Sequence, residues 1–373
     1  MPTIREVAFR AGVGLSTASR VLRGQGAVSD SARLRVEAAA GDLGYVPDRA
    51  ARTLRGGRSH LFGLLLSYID NPLWAGLTRA VEDAAYAAGF HVILGSHRGD
   101  PLREREYVEL LIQNRAEGVV ILPTHQGAAA HLQRLRDVGI AAVLVGSDQH
   151  PEIPVDRVWV DNAAGAYELT QHLIEHGHRH IGAIHGPPIS NAEGRALGFA
   201  RALSEAGLAP EAAPAVWSDW STFGGYRAAY QLLGDPENRP TALFVANNSM
   251  VVGTLVACRE LGLRVPDDVA LVNFDDIEVA AQVDPFLTVA ADPIKEIGEA
   301  AIGLLLDRID GRSGPEPRGV ILPTRCILRR SCGCRGEPNG RAMDFALQAG
   351  AFGRTIDQSK SRAAIAQEER TQS

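Results

Sequence analysis

Thr3–Arg23 reads TIREVAFRAGVGLSTASRVLR, two short helical patterns joined by a glycine. Thr3 and Glu6 stand three residues apart in a capping box, where a hydroxyl and a carboxylate satisfy the orphan amides of a helix start. A helix is therefore predicted from Ile4. Ile4, Val7, Ala8 and Ala11 share one face at helical spacing, and Gly12 supplies the positive φ that closes a helix in a tight turn. The second helix buries Val13, Ala18, Val21 and Leu22 and turns Leu15, Ser16, Thr17, Ser19 and Arg20 outward. The pair reads as a helix-turn-helix whose second helix fits a major groove.

An ordinary helical hairpin has the same apolar pattern, and charge separates the two readings. Residues 1–60 hold ten arginines against five acids, a net of +5 in a chain whose total is −6. A basic head on an acidic body is expected where only the head meets phosphate. Arginine outnumbers lysine 36 to 2 along the whole chain, so the preference for arginine is itself compositional. Ser29 is a good cap for a third helix running through Val36 and Leu43 and stopping at Gly44.

The opening segment resembles the headpiece of the lactose-repressor (LacI/GalR) family of bacterial transcriptional regulators. The family pattern is present as Thr3-Ile4, Val7-Ala8, Ala11-Gly12-Val13 and Thr17-Ala18-Ser19-Arg20-Val21-Leu22. Gly14 stands where the family usually caps the recognition helix with serine, and Arg23 where it usually has asparagine. Glycine is a tolerable cap. The resemblance implies DNA contacts from Thr3, Leu15, Ser16, Thr17, Ser19, Arg20 and Arg23. Further contacts come from Tyr45 and from Arg49, Ala51 and Leu54 in the segment after it. That segment starts at Pro47 and ends at Gly56-Gly57, and is too short for a stable isolated helix. It resembles the family's hinge helix, ordered on operator, in which a leucine, here Leu54, wedges a minor-groove base step.

With 373 residues and 45% hydrophobic content the chain accommodates two or three domains. Neither a secretory leader nor a membrane-spanning apolar run is visible, so a cytoplasmic protein without membrane contact is expected. Cys258, Cys326, Cys332 and Cys334 are too few for a disulfide framework in a chain this long. From Leu61 onward apolar runs (LFGLLLS, HVILGS, GVVIL, AAVLVG) alternate with amphipathic stretches, and a second set follows with HIGAI, ALFVA and VALVNF. Alternation of this kind predicts parallel sheets with helices on both faces.

The fold expected is α/β. A three-helix helix-turn-helix headpiece (1–46) and a hinge helix or linker (47–58) precede a two-lobed, periplasmic-binding-protein-like clamshell of doubly wound parallel sheets (59–334). The family implies three chain crossings between lobes, placed here near residues 161, 291 and 320. The polar tail, 335–373, lacks a leucine heptad and is read as disordered, which favours a homodimer over a tetramer.

Asp275-Asp276 and Asp161-Asn162 end apolar strands, but no nucleophile elbow, phosphate loop or metal motif accompanies them, so catalysis is not expected. His176-Gly177-His178-Arg179-His180 fits a helix end passing into a strand, and Cys332-Gly333-Cys334 stands as a lone pair beside the tail. No metal or cofactor is expected from either. The resemblance instead implies an effector cleft. Arg195, in Asn191-Ala192-Glu193-Gly194-Arg195-Ala196-Leu197-Gly198-Phe199, would fork two hydrogen bonds to a ligand. Asp275 would accept from neighbouring hydroxyls, Asn247 would donate and accept, and Trp220 and Trp74 would offer aromatic faces to a pyranose. Asn248 replaces a frequent aspartate, and Gly146 stands where the first lobe often ends a strand in aspartate.

These features imply a regulator, most often a repressor in such families, that binds a near-palindromic double-stranded operator under control of a small-molecule effector. The effector expected is a sugar or sugar derivative and the genes carbohydrate-utilisation genes. A purine or nucleoside corepressor is the alternative, and a sugar-binding transport protein a more distant one that the headpiece disfavours.

Overall fold

The computed structural model describes residues 2–22, 28–45, 58–69, 71–124, 128–146, 153–188 and 190–334. Arg23, Arg49, Ala51, Leu54 and the tail, all singled out from sequence, lie outside them. The chain divides into two compact units, residues 1–61 with 113–117 and the remainder.

In the first unit, α1 (Ile4–Arg10), α2 (Leu15–Leu22) and α3 (Asp30–Leu43) form the three-helix head. Both halves of the capping box are made: Glu6 N donates to Thr3 Oγ1 at 3.4 Å and Thr3 N to Glu6 Oε2 at 2.6 Å. Gly12 and Gly44 take φ of 61° and 60°, a conformation costly for any residue with a Cβ. Ser29 caps α3 through Ala32 N. Val7, Ala8, Ala11, Ala18, Val36 and Ala39 make the small core, with Ile4, Val13, Val21 and Leu22 around it. Farther along, Glu117 holds the segment leading into the lobes, accepting from His60 N at 2.8 Å and pairing with Arg58 at 3.6 Å.

The second unit holds two α/β lobes. The first contains β1 (Leu61–Leu66), α4 (Pro72–Ala87), β2 (His91–Ser96), α5 (Pro101–Gln113), β3 (Gly118–Ile121), α6 (Ala128–Asp137), β4 (Ala141–Val145) and β5 (Asp156–Val160). The chain then builds the second lobe from α7 (Asn162–Glu175), β6 (Ile181–His185), α8 (Ser190–Glu205), β7 (Ala215–Trp217), α9 (Thr222–Leu233), β8 (Ala242–Val245), α10 (Asn248–Glu260), β9 (Ala270–Phe274), α11 (Glu278–Val283) and β10 (Thr288–Ala291). It returns to the first lobe for α12 (Ile294–Ile309) and β11 (Gly319–Leu322), and ends in the second with β12 (Arg325–Ile327) and a 3₁₀ turn, Arg330–Cys332. Sheet orders are β11-β5-β4-β3-β1-β2 and β12-β10-β9-β8-β6-β7. Strands such as β3, β6, β8 and β9 are buried along their whole length, as parallel strands covered on both faces must be.

The crossings fall at residue 161, at 292–293 and at 323–324. The third lies just beyond the expected 320, which is itself inside β11. One strand departs from the expected parallel sheets: β12 runs antiparallel to β10. Only Pro323 and Thr324 join it to β11, so the chain leaves one sheet at its carboxyl edge and enters the facing carboxyl edge of the other. Entry from that side leaves only the reverse direction.

Phe62 stacks on Phe90, centroids 4.1 Å apart, within a first-lobe core that takes Ile297, Ala301 and Leu305 from the returning α12. The return is also tied by charge. Asp156 accepts from Arg308 at 2.6 Å and from Arg318 at 2.9 Å. Burial pushes its carboxyl up, and the two guanidiniums more than offset that, holding it below the usual carboxylate range. The second core centres on Phe199, Phe244 and Phe274.

Candidate functional site

On the head, α2 presents Leu15, 46% exposed, with Ser16 and Arg20 exposed beside it; Thr17 and Ser19 are half-buried. Ser16 and Arg20 are one turn apart on one face, and Arg20 Nε folds back to Ser16 O at 3.4 Å. Gly14 supplies the carbonyl that accepts from Thr17 N and Ala18 N, so the helix starts without a side-chain cap. Thr3 is occupied by its capping box. Tyr45 packs half-buried on the three-helix core.

In the second lobe, side chains converge where strands end. Arg195, on α8, is 5% exposed; its Nε donates to Asn162 Oδ1 at 2.8 Å, and Nη1 donates to Ala246 O at 2.5 Å. Both terminal nitrogens reach Asp275, at 3.3 and 3.4 Å. The guanidinium lies 3.7 Å from the Phe274 ring centroid and 5.7 Å from that of Trp220. Asp275 follows β9 with φ of 66°, Trp220 precedes α9 with φ of 62°, and both conformations are strained for residues with a Cβ. Burial raises the Asp275 carboxyl above its ordinary range against the pull of Arg195.

Sequence reasoning missed two members of this cluster. Asn162 holds Arg195, whereas its neighbour Asp161 caps α7 through Ala164 N at 2.9 Å. Asp292, just after β10, has a buried Oδ1 with no hydrogen-bond partner among the described residues. Burial, then the charge of Asp275, raises this carboxyl to about 7. No motif marks Asp292; only the meeting of β9 and β10 does.

A carboxyl raised in the fold binds a proton that the unfolded chain has released, so its contribution is favourable at low pH and is lost as pH rises through about 7. Asp292→Asn is therefore expected to stabilise the protein by a few kcal/mol at pH 8, by roughly 1.4 kcal/mol per pKa unit. Below pH 4 the gain should vanish. Urea titrations at the two pH values check it, and an equal effect at both would contradict the assignment.

Three features singled out from sequence have partners within the fold. Asn247 Oδ1 accepts from Met250 N as the N-cap of α10, at 2.8 Å, and its Nδ2 donates to Asn248 Oδ1 at 3.3 Å. Asp276, next to Asp275, is bound by Arg329 at 2.6 Å. The histidine run and Cys332-Gly333-Cys334 are not separate features, because His176 of the run meets Cys334, and His172, one turn earlier, meets both cysteines.

Trp74 is partly buried against the first-lobe core. Its indole lies 3.7 Å from where a Cβ on Gly146 would sit, an ordinary contact distance that places the ring beside the end of β4. Across the cleft Asn71 Nδ2 donates to Asn248 Oδ1 at 3.3 Å, and Asn248 Nδ2 donates to Asn71 Oδ1 at 3.0 Å. An aspartate at 248 would accept but not return a bond. Asn248→Ala removes both bonds, and about 1 kcal/mol each predicts an effector Kd raised roughly thirtyfold by calorimetry. An unchanged Kd would show that the bridge has no part in closure.

Residues 3–48 match the model of "Bacterial regulatory proteins, lacI family", and residues 170–332 that of a periplasmic binding protein-like domain. The HTH-type transcriptional repressor PurR of Pectobacterium carotovorum subsp. carotovorum (strain PC1) is 35% identical over 334 residues, covering 89% of this chain and 97% of that protein. Among solved structures, the complex of the transcriptional regulator CelR with cellobiose is 32% identical with a TM-score of 0.67, covering 89% of this chain and all of that one. The lac repressor dimer bound to operator and the anti-inducer ONPF is 28% identical with a TM-score of 0.76, over 89% of this chain and 99% of that one.

Proposed function

As this chain belongs to the lacI family of bacterial regulatory proteins and is a DNA-binding transcriptional repressor, we propose that it binds a near-palindromic operator as a cytoplasmic homodimer controlled by a sugar or sugar derivative in the second-lobe cluster. The observation that carries the ligand reading is the convergence of Arg195, Asn162, Asp275 and Asp292 beside the Trp220 indole. A forked donor and two acceptors suit adjacent hydroxyls, and an indole face suits the C–H face of a pyranose. The cellobiose complex of a relative supports this reading. A purine corepressor is the second reading, favoured by the PurR relatives, since an unpartnered carboxylate also accepts from ring N–H groups.

Dimerisation is supported by α9 and α10, which leave Phe223, Tyr230, Val252 and Val256 exposed. In the head, Leu15, Ser16 and Arg20 would read bases, with Thr3, Thr17, Ser19, Arg23, Tyr45, Arg49 and Ala51 on the backbone and groove edges. Carbohydrate-utilisation genes are the targets that follow from a sugar effector.

The test is a thermal-shift screen of mono- and disaccharides against purine bases and nucleosides. A ligand at a hundred times its Kd stabilises by about 2.7 kcal/mol. A sugar hit supports the first reading, and a response to purines alone replaces it with the second. Leu54→Ala should weaken operator binding at least tenfold more than binding to random DNA, because a wedge gains only where a base step unstacks cheaply. Equal losses at one salt concentration would remove Leu54 from the hinge role.

A further inference from the structure

His172 lies in the last turn of α7, His176 caps that helix, and Cys332 and Cys334 flank the glycine that ends the 3₁₀ turn. The two pairs are about 160 positions apart in the chain, yet their donor atoms form one cluster. His172 Nε2 is 3.2 Å from Cys332 Sγ and 3.2 Å from Cys334 Sγ; His176 Nε2 is 3.2 Å from Cys334 Sγ; the two sulfurs are 3.1 Å apart. Three of these donors, from His172, His176 and Cys334, lie within 4.8 Å of one another.

We propose that His172, His176, Cys332 and Cys334 form a four-coordinate zinc site that fastens the final turn of the second lobe to α7. Two thiolates and two imidazoles are a closed tetrahedral donor set, the composition of structural rather than catalytic zinc. Tetrahedral bonds of about 2.0–2.3 Å place donors roughly 3.3–3.8 Å apart; the nitrogen–sulfur pairs at 3.2 Å are close to this, while the sulfurs at 3.1 Å spread and Cys332 Sγ, outside the three-donor group, turns toward His176 to complete the set. Binding releases one proton from each thiol, and the doubly charged ion with two thiolates and two neutral imidazoles is neutral overall. No oxidant or reductant takes part.

The surroundings fit. His176 Nδ1 is 2.8 Å from His172 O; a carbonyl can only accept, so this nitrogen carries the proton and Nε2 keeps its lone pair toward the sulfurs, the usual support for a metal-ligating histidine. Thr288 Oγ1 lies 3.1 Å from Cys332 Sγ, placed to donate to a thiolate. His172 and Cys332 are buried at 9% and 1% exposure, while His176 is exposed and leaves a route for the ion. A cation here also sits at the carboxyl end of α7, where the helix dipole favours positive charge. A CxC pair alone would equally suit a disulfide; the two imidazoles aimed at the sulfurs favour a metal.

Full-length protein purified without added metal or chelator and assayed by inductively coupled plasma mass spectrometry should hold about one zinc per chain. After chelation under reducing conditions, cobalt(II) should restore one equivalent with tetrahedral d–d and thiolate charge-transfer absorption. His176→Gln and Cys334→Ser, neither in the hydrophobic core, should each raise the zinc Kd at least a hundredfold while keeping operator binding under reducing conditions. Failure of wild type to bind either metal, zinc retained by both variants, or a Cys332–Cys334 disulfide with no zinc in the native protein would each overturn the proposal. Because the readout is metal content and absorption, its outcome is independent of effector identity.

Discussion

Arg195→Ala is expected to abolish the effector response and to destabilise the second lobe by about 3–5 kcal/mol, the usual penalty for removing one partner of a buried ion pair. Arg195 and Asp275 are 5% and 2% exposed, and among the described residues Arg195 is the cation that draws the Asp292 carboxyl down. Without the guanidinium both carboxyls rise further, so the folded form retains protons that the unfolded chain loses. Stability of the variant should therefore be nearest wild type around pH 5 and fall away toward pH 8. Urea titrations across that range check the sign. Arg195→Lys separates ligand contact from folding: it keeps a positive charge but lacks the fork. It should fold, bind operator, and need at least ten times more effector. A lysine variant that responds at the wild-type effector concentration would take Arg195 out of the ligand site.

The second large effect belongs to the head. Replacing Ser16 and Arg20 together with alanine should lower specific operator affinity at least a hundredfold, since each good base contact discriminates by about 1–3 kcal/mol. Both side chains are exposed and outside the small core, so unfolding should shift by no more than about 0.5 kcal/mol. Anisotropy titrations over a range of salt concentrations separate the roles. If Arg20 neutralises a phosphate, its loss lowers the salt slope by about one; if it reads a base, the slope holds and preference at one position relaxes. Operator affinity left intact would remove α2 from the groove.

What the sequence made legible was local. The Thr3–Glu6 box, Gly12, Ser29 and Gly44 each act within a few residues, so their pattern fixes the head before any tertiary contact is known. Strands buried on both faces are continuous apolar runs, which placed most of both sheets. Less legible was anything decided by partners far along the chain. Asn162 and Asp161 are equally plausible strand-end residues, and only the position of α8 assigns one to Arg195 and the other to a cap. Asp292 sits in no motif. Asn247 caps α10, and its capping bond was not read from sequence because helix caps and ligand sites share the same place above strand ends and the same amide chemistry. His172 and His176 gain their significance from cysteines that arrive by way of two crossings. The reversed β12 likewise follows from a two-residue link whose consequence depends on the sheets facing each other.

The order of the crossings also bears on how the protein is made. Strand β11 lies at the edge of the first sheet beside β5, and α12 supplies Ile297, Ala301 and Leu305 to that lobe's core, yet both emerge after the second lobe has been synthesised. Edge strand β12 and Ser331, whose hydroxyl bonds to Leu271 O at 2.7 Å, come later still. On the ribosome, the first lobe waits with an unpaired β5 edge and an uncovered apolar face while some 160 residues pass, a period in which exposed strand edges favour association between chains. The head has no such dependence, its core being complete by residue 45. A nascent chain thus completes the packed core of its head well before either lobe is closed.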